Sequence, residues 1–314
     1  MMPLLLSPTQ ASALLKEGGI CAIPSETVYG LAGHAYRDDA VQRIFEAKRR
    51  PATNPLIVHY ADIAAVKKDT QWTDLAERLA AAFWPGALTL VLNRAPHTRL
   101  SVLAGGQALS TVAVRMPAHP VFQEILTHCG FPLVAPSANA SGFLSSTHPA
   151  HVLRSLPHVP VVGGVCRLGI ESTVLDVRGP RPVLLRPGGV PCEALSTLLG
   201  EAVTRRPGDH SSPGQHASHY APSKPLRLHA TSVLPGEGVL SFGPQAWPEA
   251  SWVFNLSPRG DSQEAAARLF EGLHELDQSP CRAIAVATLP REGGVYEALW
   301  DRLVRAARGD DNAV

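Results

Sequence analysis

"STVAVRMP", residues 110–117, has the alternation of a β-strand with two unlike faces. Because successive side chains of a strand point to opposite sides, Thr111 and Arg115 share one face and Val112 and Val114 share the other. The valine face is typical of a hydrophobic core. An arginine among small residues on the opposite face indicates a carboxylate or phosphate partner, although a salt bridge at a sheet edge would also explain it. The stretch therefore predicts a strand between a core and a candidate binding surface.

Strand-like runs lie on both sides of this stretch, and helical patterns separate several of them. The runs are ICAIPS (20–25), ALTLVL (87–92), PLVAPS (132–137), VPVVGG (159–164), STVLDV (172–177) and PVLLRPG (182–188). Helical spacing occurs over 7–19, 38–50, 73–86, 120–130 and 148–156. Some connections are too short for a crossover helix, so the sheet should contain antiparallel as well as parallel pairs. The sequence predicts an α/β fold with a twisted mixed sheet and flanking helices.

The chain also divides by composition. Residues 203–225 carry four prolines and no sustained period, which is typical of a linker or a functional loop. A smaller pattern follows, with strands predicted at 238–243 and 283–290 and helices at 262–278 and 294–308. We therefore predict a large first domain over 1–202, a linker or lid over 203–225 and a small Rossmann-like α/β domain over 226–314.

Charge is distributed unevenly between these parts. The net charge of the 314 residues is +1, which argues against a generally basic nucleic-acid-binding surface. Residues 1–206 carry +5, however, and residues 207–314 carry −4. The basic part should therefore bind an anionic ligand.

Several classes of protein are disfavoured by what the sequence lacks. The five cysteines form no CxxC pair, which is typical of free thiols in a reducing compartment. No apolar run approaches the roughly 18 residues of a membrane helix, and no signal peptide is recognisable, so we expect a cytoplasmic protein without membrane contact. The phosphate-loop, dinucleotide-binding, serine-nucleophile and HExxH motifs are all missing. Two HxxH pairs, 148–151 and 216–219, have no third ligand at a usual spacing, so no metal site is assigned to side chains.

The loop KRRPATNPLIVHY, residues 48–60, is the strongest candidate for anion binding. It places Lys48, Arg49 and Arg50 side by side before a short apolar run with His59 at its end. Two prolines stiffen the loop, and a rigid loop can hold an arginine fork and a lysine point charge toward phosphate. Asn54 can bind a polar edge. A solvated basic surface beside a core histidine is the plainer alternative.

Three further segments place small polar residues at strand ends. PSETVYGLAG (24–33) places Glu26, Thr27 and Tyr29 after a strand, and taken alone it is better explained as an ordinary strand-to-helix turn. PLVAPSANASGFLSST (132–147) offers backbone N–H groups and hydroxyls to an anion, although a serine-rich turn has the same composition. GIESTVLDV (169–177) ends a strand beside Glu171 and Ser172, and Arg186 follows at the end of another run.

Taken together, these segments resemble the YrdC-domain family. ETVYGL, KRRPATNPLIVH, WPGALTLVL, VAVRMPAHP, APSANASG, ESTVLD and LLRPG occur here in the family's order. The linker SPGQHASHYAP followed by a small α/β domain is similar to the long form of that family. The resemblance implies a YrdC-like sheet and an enzyme that joins L-threonine, bicarbonate and ATP into L-threonylcarbamoyl-AMP, with release of pyrophosphate. It implies Mg²⁺ accompanying ATP and a downstream transferase that modifies adenosine next to the anticodon of tRNA.

The resemblance also implies two sets of binding residues. The L-threonine set comprises Thr27, His59, Arg115, Ala135 and Ser172. The ATP set comprises Lys48, Arg50, Asn54, Thr111, Ser137, Ser145, Arg186 and Tyr220, and Lys48 and Arg50 would also stabilise charge during catalysis. No residue is assigned as the base for the threonine amine.

Two other functions share these features. An RNA-binding module could use the same basic concavity without catalysis, and even the enzyme could contact tRNA weakly, although an aromatic content of 6% disfavours base stacking. Carbamoyl transfer in metallocentre maturation uses the same domain, but there it is accompanied by zinc-finger segments, and CxxC pairs are missing here.

Overall fold

The computed structural model describes residues 5–51, 54–105, 110–205 and 220–307. In these ranges the helices are α1 (Pro8–Lys16), α2 (Asp38–Lys48), α3 (Ile63–Asp69), α4 (Asp74–Phe83), α5 (Pro120–Cys129), α6 (Pro149–Ser155), α7 (Cys192–Leu199), α8 (Ser262–Gln278) and α9 (Tyr296–Ala307). The strands are β1 (Leu5–Leu6), β2 (Cys21–Ile23), β3 (Gly30–His34), β4 (Ile57–His59), β5 (Leu88–Asn93), β6 (Thr111–Arg115), β7 (Leu133–Val134), β8 (Val161–Val162), β9 (Thr173–Asp176), β10 (Val183–Arg186), β11 (Thr204–Arg205), β12 (Leu226–Ala230), β13 (Glu237–Ser241), β14 (Val253–Asn255) and β15 (Ala283–Ala287).

The first eleven strands form one sheet. Their order is β1-β8-β2-β3-β7-β4-β6-β5-β9-β10-β11. β4 and β6 are parallel, as are β5 and β9, whereas β5 pairs antiparallel with β6 and β4 with β7. The predicted mixed sheet is therefore confirmed. Its last strand lies beyond residue 202, and residues 206–219 of the predicted linker lie outside the described residues.

β6 has the two faces that its alternation predicts. Val112 and Val114 are buried in the main core, with helices α2 and α4 on the same side of the sheet. Ala113 belongs to a smaller apolar cluster on the other face, with Ile57 and Val174. Arg115 lies on this second face, which is opposite the main core. This face carries the candidate binding surface and is called the functional face.

β3 corrects the sequence-based interpretation of residues 24–33, which are not a strand-to-helix turn. Gly30–His34 pairs antiparallel with β2 and with β7. Two glycines make the segment a poor strand by propensity. They are required by close packing, because a Cβ at Gly30 would lie 3.0 Å from the Cβ of Ala135 and one at Gly33 would lie 2.9 Å from Cδ1 of Ile44.

The end of α2 directs the basic loop inward. Its C-cap, Arg49, has a left-handed backbone (φ 51°), which reverses the chain after Lys48. As a result Lys48 and Arg50 are buried on either side of an exposed Arg49.

The remaining four strands form a separate parallel sheet in the order β12-β15-β13-β14. Its helices α8 and α9 share one hydrophobic cluster with Val28, Leu144, Ile170 and Tyr220. Because Val28, Leu144 and Ile170 precede the linker, the core of the small sheet continues onto the large one. No helix in the described ranges is long and apolar enough to cross a membrane.

Candidate active site

A cavity lies where the functional face of the large sheet meets the segments that follow β2 and β7 and the segment that precedes β9. Nine of the residues expected to bind ligands line it: Thr27, Arg50, His59, Arg115, Ala135, Ser137, Ser172, Arg186 and Tyr220. Residues far apart in the sequence therefore meet at one concave site, as a binding pocket requires.

The threonine end of the cavity, as the resemblance predicts it, is built on two parallel strand ends. His59 and Arg115 are the last residues of β4 and β6, and the two are Cα partners in the register. The sheet thus places an imidazole directly beside a guanidinium at one edge.

Arg115 is fixed by contacts within the first domain. Its Nη2 donates to Oε1 of Glu26 at 2.6 Å, its Nη1 to Oγ1 of Thr27 at 3.0 Å and its Nε to the carbonyl of Gly86 at 3.0 Å. Burial would raise the pKa of Glu26, but the charge and hydrogen bond of Arg115 outweigh it and hold that pKa below its usual value. These contacts use three of the five guanidinium N–H groups, which leaves two for a ligand.

His59 faces the same cavity as a neutral imidazole. Burial and then the charge of Arg115 lower its pKa to about 3. Its ring lies 5.0 Å from that of Phe122, and its buried Nδ1 has no hydrogen-bond partner among the described residues. A buried ring nitrogen without a partner is suited to bind a polar group of a ligand.

Two more buried arginines, Arg50 and Arg186, line the cavity. The part of the wall that they form is called the ATP end, because the resemblance assigns both residues to ATP. Nη2 of Arg50 donates to Oδ1 of Asn54 at 2.6 Å and to the carbonyl of Pro55 at 2.9 Å. Arg186 donates from Nη2 to the carbonyl of Ser172 at 2.8 Å. Burial, with the charge of Arg186 adding to it, lowers the pKa of Arg50 to about 10, so the side chain stays charged at neutral pH.

Tyr220 closes this end from the side of the second domain. It is buried with a left-handed backbone (φ 65°), and its ring lies 5.7 Å from that of Phe270 on α8. The guanidinium carbon of Arg302 on α9 lies 5.2 Å from the centre of the tyrosine ring. Contacts with the second domain thus hold a strained backbone in place.

Four of the predicted residues do not line the cavity: Lys48, Asn54, Thr111 and Ser145. Lys48 instead donates from Nζ to the carbonyls of Ser137, at 2.5 Å, and Asn139, and so supports the loop behind Ser137. Burial and the charge of Arg50 lower the pKa of Lys48 well below its usual value.

The other three lie at different distances from the cavity. Asn54 contacts Arg50, as described above, and so orients it. The Oγ of Ser145 donates to Oε1 of Glu171, a cavity-lining carboxylate, at 2.6 Å. Thr111 begins β6, four residues from Arg115 on the same face, which corresponds to roughly 13 Å along the strand.

Glu26 and Glu171, each paired with a buried arginine, are carboxylates at the site to which the sequence analysis assigned no role. Glu26 lies next to Thr27 and Glu171 next to Ser172, so the neighbouring motifs were a signal for both. Arg302, which bonds to Glu171, has no such signal because it lies 131 positions away in the chain.

A metal site is not evident in the ranges that the structure describes. No group of three or more His, Cys, Asp or Glu side chains is placed to hold an ion there. Of the two HxxH pairs, 216–219 lies outside the described residues, and His151 of the other stacks on His274 with ring centres 3.9 Å apart.

Comparison with known protein families identifies the class of enzyme. A family model described as "Telomere recombination", which covers YrdC-type domains, matches residues 13–188. A second model, described as "Threonylcarbamoyl-AMP synthase, C-terminal domain", matches residues 190–308. The large sheet and its pocket are therefore those of a YrdC-type enzyme with an additional domain.

Individual relatives narrow this class. The threonylcarbamoyl-AMP synthase of Bacillus subtilis is 39% identical over 323 residues, which cover 96% of this chain and 92% of the relative. That of Pyrococcus abyssi is 38% identical over 323 residues, covering 95% and 93%. A crystal structure of P. abyssi Sua5 complexed with L-threonine superposes with a TM-score of 0.87 at 34% identity, covering 96% of this chain and 94% of that one. The chain belongs to the threonylcarbamoyl-AMP synthase family.

Proposed function

We propose that this enzyme forms L-threonylcarbamoyl-AMP from L-threonine, bicarbonate and ATP and releases pyrophosphate. The observation that carries the proposal is the single cavity lined by three buried arginines, Arg115 at the threonine end and Arg50 and Arg186 at the ATP end. An amino-acid carboxylate and a triphosphate are the two anions of the reaction, and each end offers buried guanidinium groups to one of them.

At the threonine end, Arg115 would bind the substrate carboxylate through its two remaining N–H groups. Glu26 holds the guanidinium in place from behind, so the grip is preorganised. Thr27, His59, Ala135 and Ser172 would line the rest of this site. The relative crystallised with L-threonine supports a threonine site in this family.

At the ATP end, Arg50 and Arg186 would stabilise the charge that grows on the leaving pyrophosphate, while Ser137 and Tyr220 complete the wall. Lys48, Asn54 and Ser145 would act by supporting these residues, and Thr111 by extending the same sheet face. Mg²⁺ would enter with ATP, bound to its phosphates as part of the substrate.

The labile carbamate intermediate explains why the site is enclosed. The amine of free threonine is almost entirely protonated at pH 7, so it must lose a proton before it attacks, and no residue is assigned as its base. A carbamate formed from it decomposes in water, so a lid that excludes solvent is useful. Tyr220 is the candidate for that lid among the described residues, and the linker residues 206–219 that the sequence also suggests lie outside them.

The product would then serve tRNA modification. We propose that a separate transferase moves the threonylcarbamoyl group to adenosine next to the anticodon, in the cytoplasm. A weak direct contact with tRNA would be electrostatic and would fall steeply with salt. An RNA-binding function without catalysis receives less support, because Lys48, Arg50 and Arg186 are buried in or behind a small cavity and not spread over a surface.

The proposal is tested by assaying purified protein with Mg²⁺-ATP, L-threonine and bicarbonate. Pyrophosphate release should require all three, and mass spectrometry should detect threonylcarbamoyl-AMP. Reactions that lack threonine or bicarbonate serve as controls. Pyrophosphate release without threonine, or no product with all substrates present, would contradict the proposal. Salt-sensitive RNA binding in the absence of any product would favour the RNA-binding function instead.

A further inference from the structure

Arg302 is a fully buried arginine that the second domain contributes beside the ATP end of the cavity. Its Nε donates to Oε2 of Glu171 at 2.7 Å, its Nη2 to the carbonyl of Pro187 at 3.0 Å and its Nη1 to Oδ2 of Asp301 at 2.6 Å. The relative exposure of the arginine is 0%. Two of its three partners, Glu171 and Pro187, belong to the large-sheet part of the chain.

Domain packing alone does not require this arginine. Burying a charge costs free energy, and well-packed apolar residues of similar volume often replace a buried ion pair without loss of stability. Ile170, from the large-sheet part, and Leu299 and Leu303, from α9, already belong to one apolar cluster that joins the two parts of the chain. Packing therefore does not explain why this residue is charged, and the reason should lie in the site that Arg302 contacts.

That site is the carboxylate of Glu171, which lines the cavity. One of its oxygens is bound by Arg302 and the other by the hydroxyl of Ser145. Burial would raise the pKa of Glu171, but the charges of Arg302 and Arg186 outweigh it and keep the group ionised. Arg302 thus holds an anion at a fixed position in the wall.

The loss of Arg302 would change the charge of this wall. An ionised Glu171 without its partner would repel the phosphates of ATP, and it would attract Arg186, whose charge already acts on it. Ser145 would lose the fixed acceptor for its hydroxyl. The Arg115–Glu26 pair at the threonine end would keep its contacts, because Arg115 pairs with Glu26 and not with Glu171.

We propose that Arg302 is a positioning residue for ATP: by neutralising and orienting Glu171, it keeps Arg186 and Ser145 arranged for the nucleotide. The second domain thereby completes the ATP site without itself lining the cavity. This inference rests on the proposed function for its kinetic test, and nucleotide binding tests it separately.

The experiment compares Arg302→Met with Arg305→Met. Arg305 lies one turn further along α9 and binds the same Asp301, at 2.9 Å, but its side chain is partly exposed. For each variant, KM for Mg²⁺-ATP, KM for threonine, kcat and the thermal unfolding temperature are measured. The affinity for α,β-methylene-ATP is measured by calorimetry without threonine.

Arg302→Met should raise KM for ATP and the Kd of the analogue roughly 10- to 100-fold, the effect typical of removing a group that orients a binding residue. KM for threonine should change less than about twofold, and Arg305→Met should leave both KM values unchanged. The double variant Glu171→Gln/Arg302→Met should recover most of the ATP affinity, because the glutamine has no charge to neutralise and its amide oxygen can still accept from Ser145.

Three results would overturn the inference: an unchanged KM for ATP, equal changes in both KM values, or no recovery in the double variant. The first two would leave Arg302 as a structural anchor. If Arg302→Met does not fold, Arg302→Lys is decisive, because lysine keeps the charge but not the planar fork. It should raise KM for ATP severalfold and leave KM for threonine alone, and any other pattern contradicts the proposal. A wild type that binds the analogue but forms no product would refute the proposed function and leave the binding comparison valid.

Discussion

Each end of the cavity contains a buried arginine–carboxylate pair, but the arginine lines the cavity at one end and the carboxylate lines it at the other. At the threonine end, Arg115 lines the cavity and Glu26 stands behind it, with 2.6 Å between Nη2 and Oε1. At the ATP end, Glu171 lines the cavity and Arg302 stands behind it, with 2.7 Å between Nε and Oε2. In one pair the carboxylate orients a cation for its ligand, and in the other a cation neutralises a carboxylate that its ligand would avoid.

The pairs also differ in which domain supplies them. Glu26 and Arg115 both belong to the large-sheet part, whereas Arg302 reaches Glu171 from α9. Under the proposed assignment, the threonine site therefore depends on the large-sheet part alone, whereas the ATP site also depends on the second domain. This difference predicts that substitutions at each end affect one substrate and spare the other.

The largest effect is expected from Arg115→Ala. It removes the predicted ligand of the threonine carboxylate and should raise KM for threonine on the order of 100-fold or more, as the loss of charged hydrogen bonds implies. KM for ATP should change little. Steady-state kinetics with each substrate varied in turn measures both values.

Arg178→Ala is the matched control for that variant. Arg178 also pairs with a strand-end carboxylate, Asp176, but it is partly exposed and does not line the cavity. Equal increases in both KM values for Arg115→Ala would show that the two ends are not independent and would refute the comparison.

Arg50→Ala should produce the converse effect at the ATP end. Its loss should raise KM for ATP roughly 10- to 100-fold, because Arg186 remains to bind the phosphates, and it should leave KM for threonine unchanged. The adjacent Arg49 is exposed, so Arg49→Asn provides the control, with asparagine chosen because it tolerates the left-handed backbone. An ATP requirement that rises as much in the control would point to general surface charge.

The sequence predicted these ends to different extents. The alternation in β6 placed Arg115 opposite the core, and the proline-braced loop predicted Arg50 as an anion-binding group; the structure places both at the cavity. Lys48 appeared equivalent to Arg50 in the sequence. The left-handed Arg49 sends the two side chains apart, and one backbone angle of that kind is not visible in residue types.

The second domain shows a further limit. Its strands β13 and β15 follow the predicted apolar runs, but β12 and β14 were not predicted, since LRLHA and VFN are too polar or too short to be recognised as strands. Arg302 lies in the helix predicted over 294–308, but nothing in the sequence assigned it a role. Its burial depends on Glu171, and a contact across 131 positions lies outside any local pattern.

A buried histidine beside the ATP end should make the stability of the protein depend on pH. His274 on α8 has its Nε2 3.0 Å from the carbonyl of Ser145, and burial lowers its pKa to about 4. The unfolded chain binds a proton near pH 6.5 that the folded chain does not bind, so stability falls as pH decreases through the range from 6.5 toward 4.

Between pH 7 and pH 5 the wild type should therefore lose about 2 kcal/mol more of its unfolding free energy than His274→Gln does. Glutamine can keep the bond to the Ser145 carbonyl but cannot titrate. Urea unfolding at several pH values measures the difference, and in this range Glu26 and Glu171, with their lowered pKa values, do not yet protonate. Parallel pH profiles for the two proteins would exclude His274 as the titrating group.

The smallest effect is expected far from both ends, at the start of α1. The hydroxyl of Ser7 accepts from the backbone N–H of Gln10 at 3.2 Å, and the Gln10 side chain accepts from the N–H of Ser7 at 2.8 Å, which is the capping box that the sequence predicts. Ser7→Ala should cost about 1 kcal/mol of unfolding free energy, because one backbone N–H loses its partner.

Both KM values should remain unchanged in Ser7→Ala. The variant thus separates stability from substrate binding: if a loss of about 1 kcal/mol at a remote cap also raised KM for ATP, the ATP end would be responding to general destabilisation. A raised KM for ATP in the Arg50 and Arg302 variants could then not be attributed to the loss of a contact at the ATP end. If KM for ATP is unaffected, a selective rise in the other variants can be attributed to the charges that face and support the nucleotide.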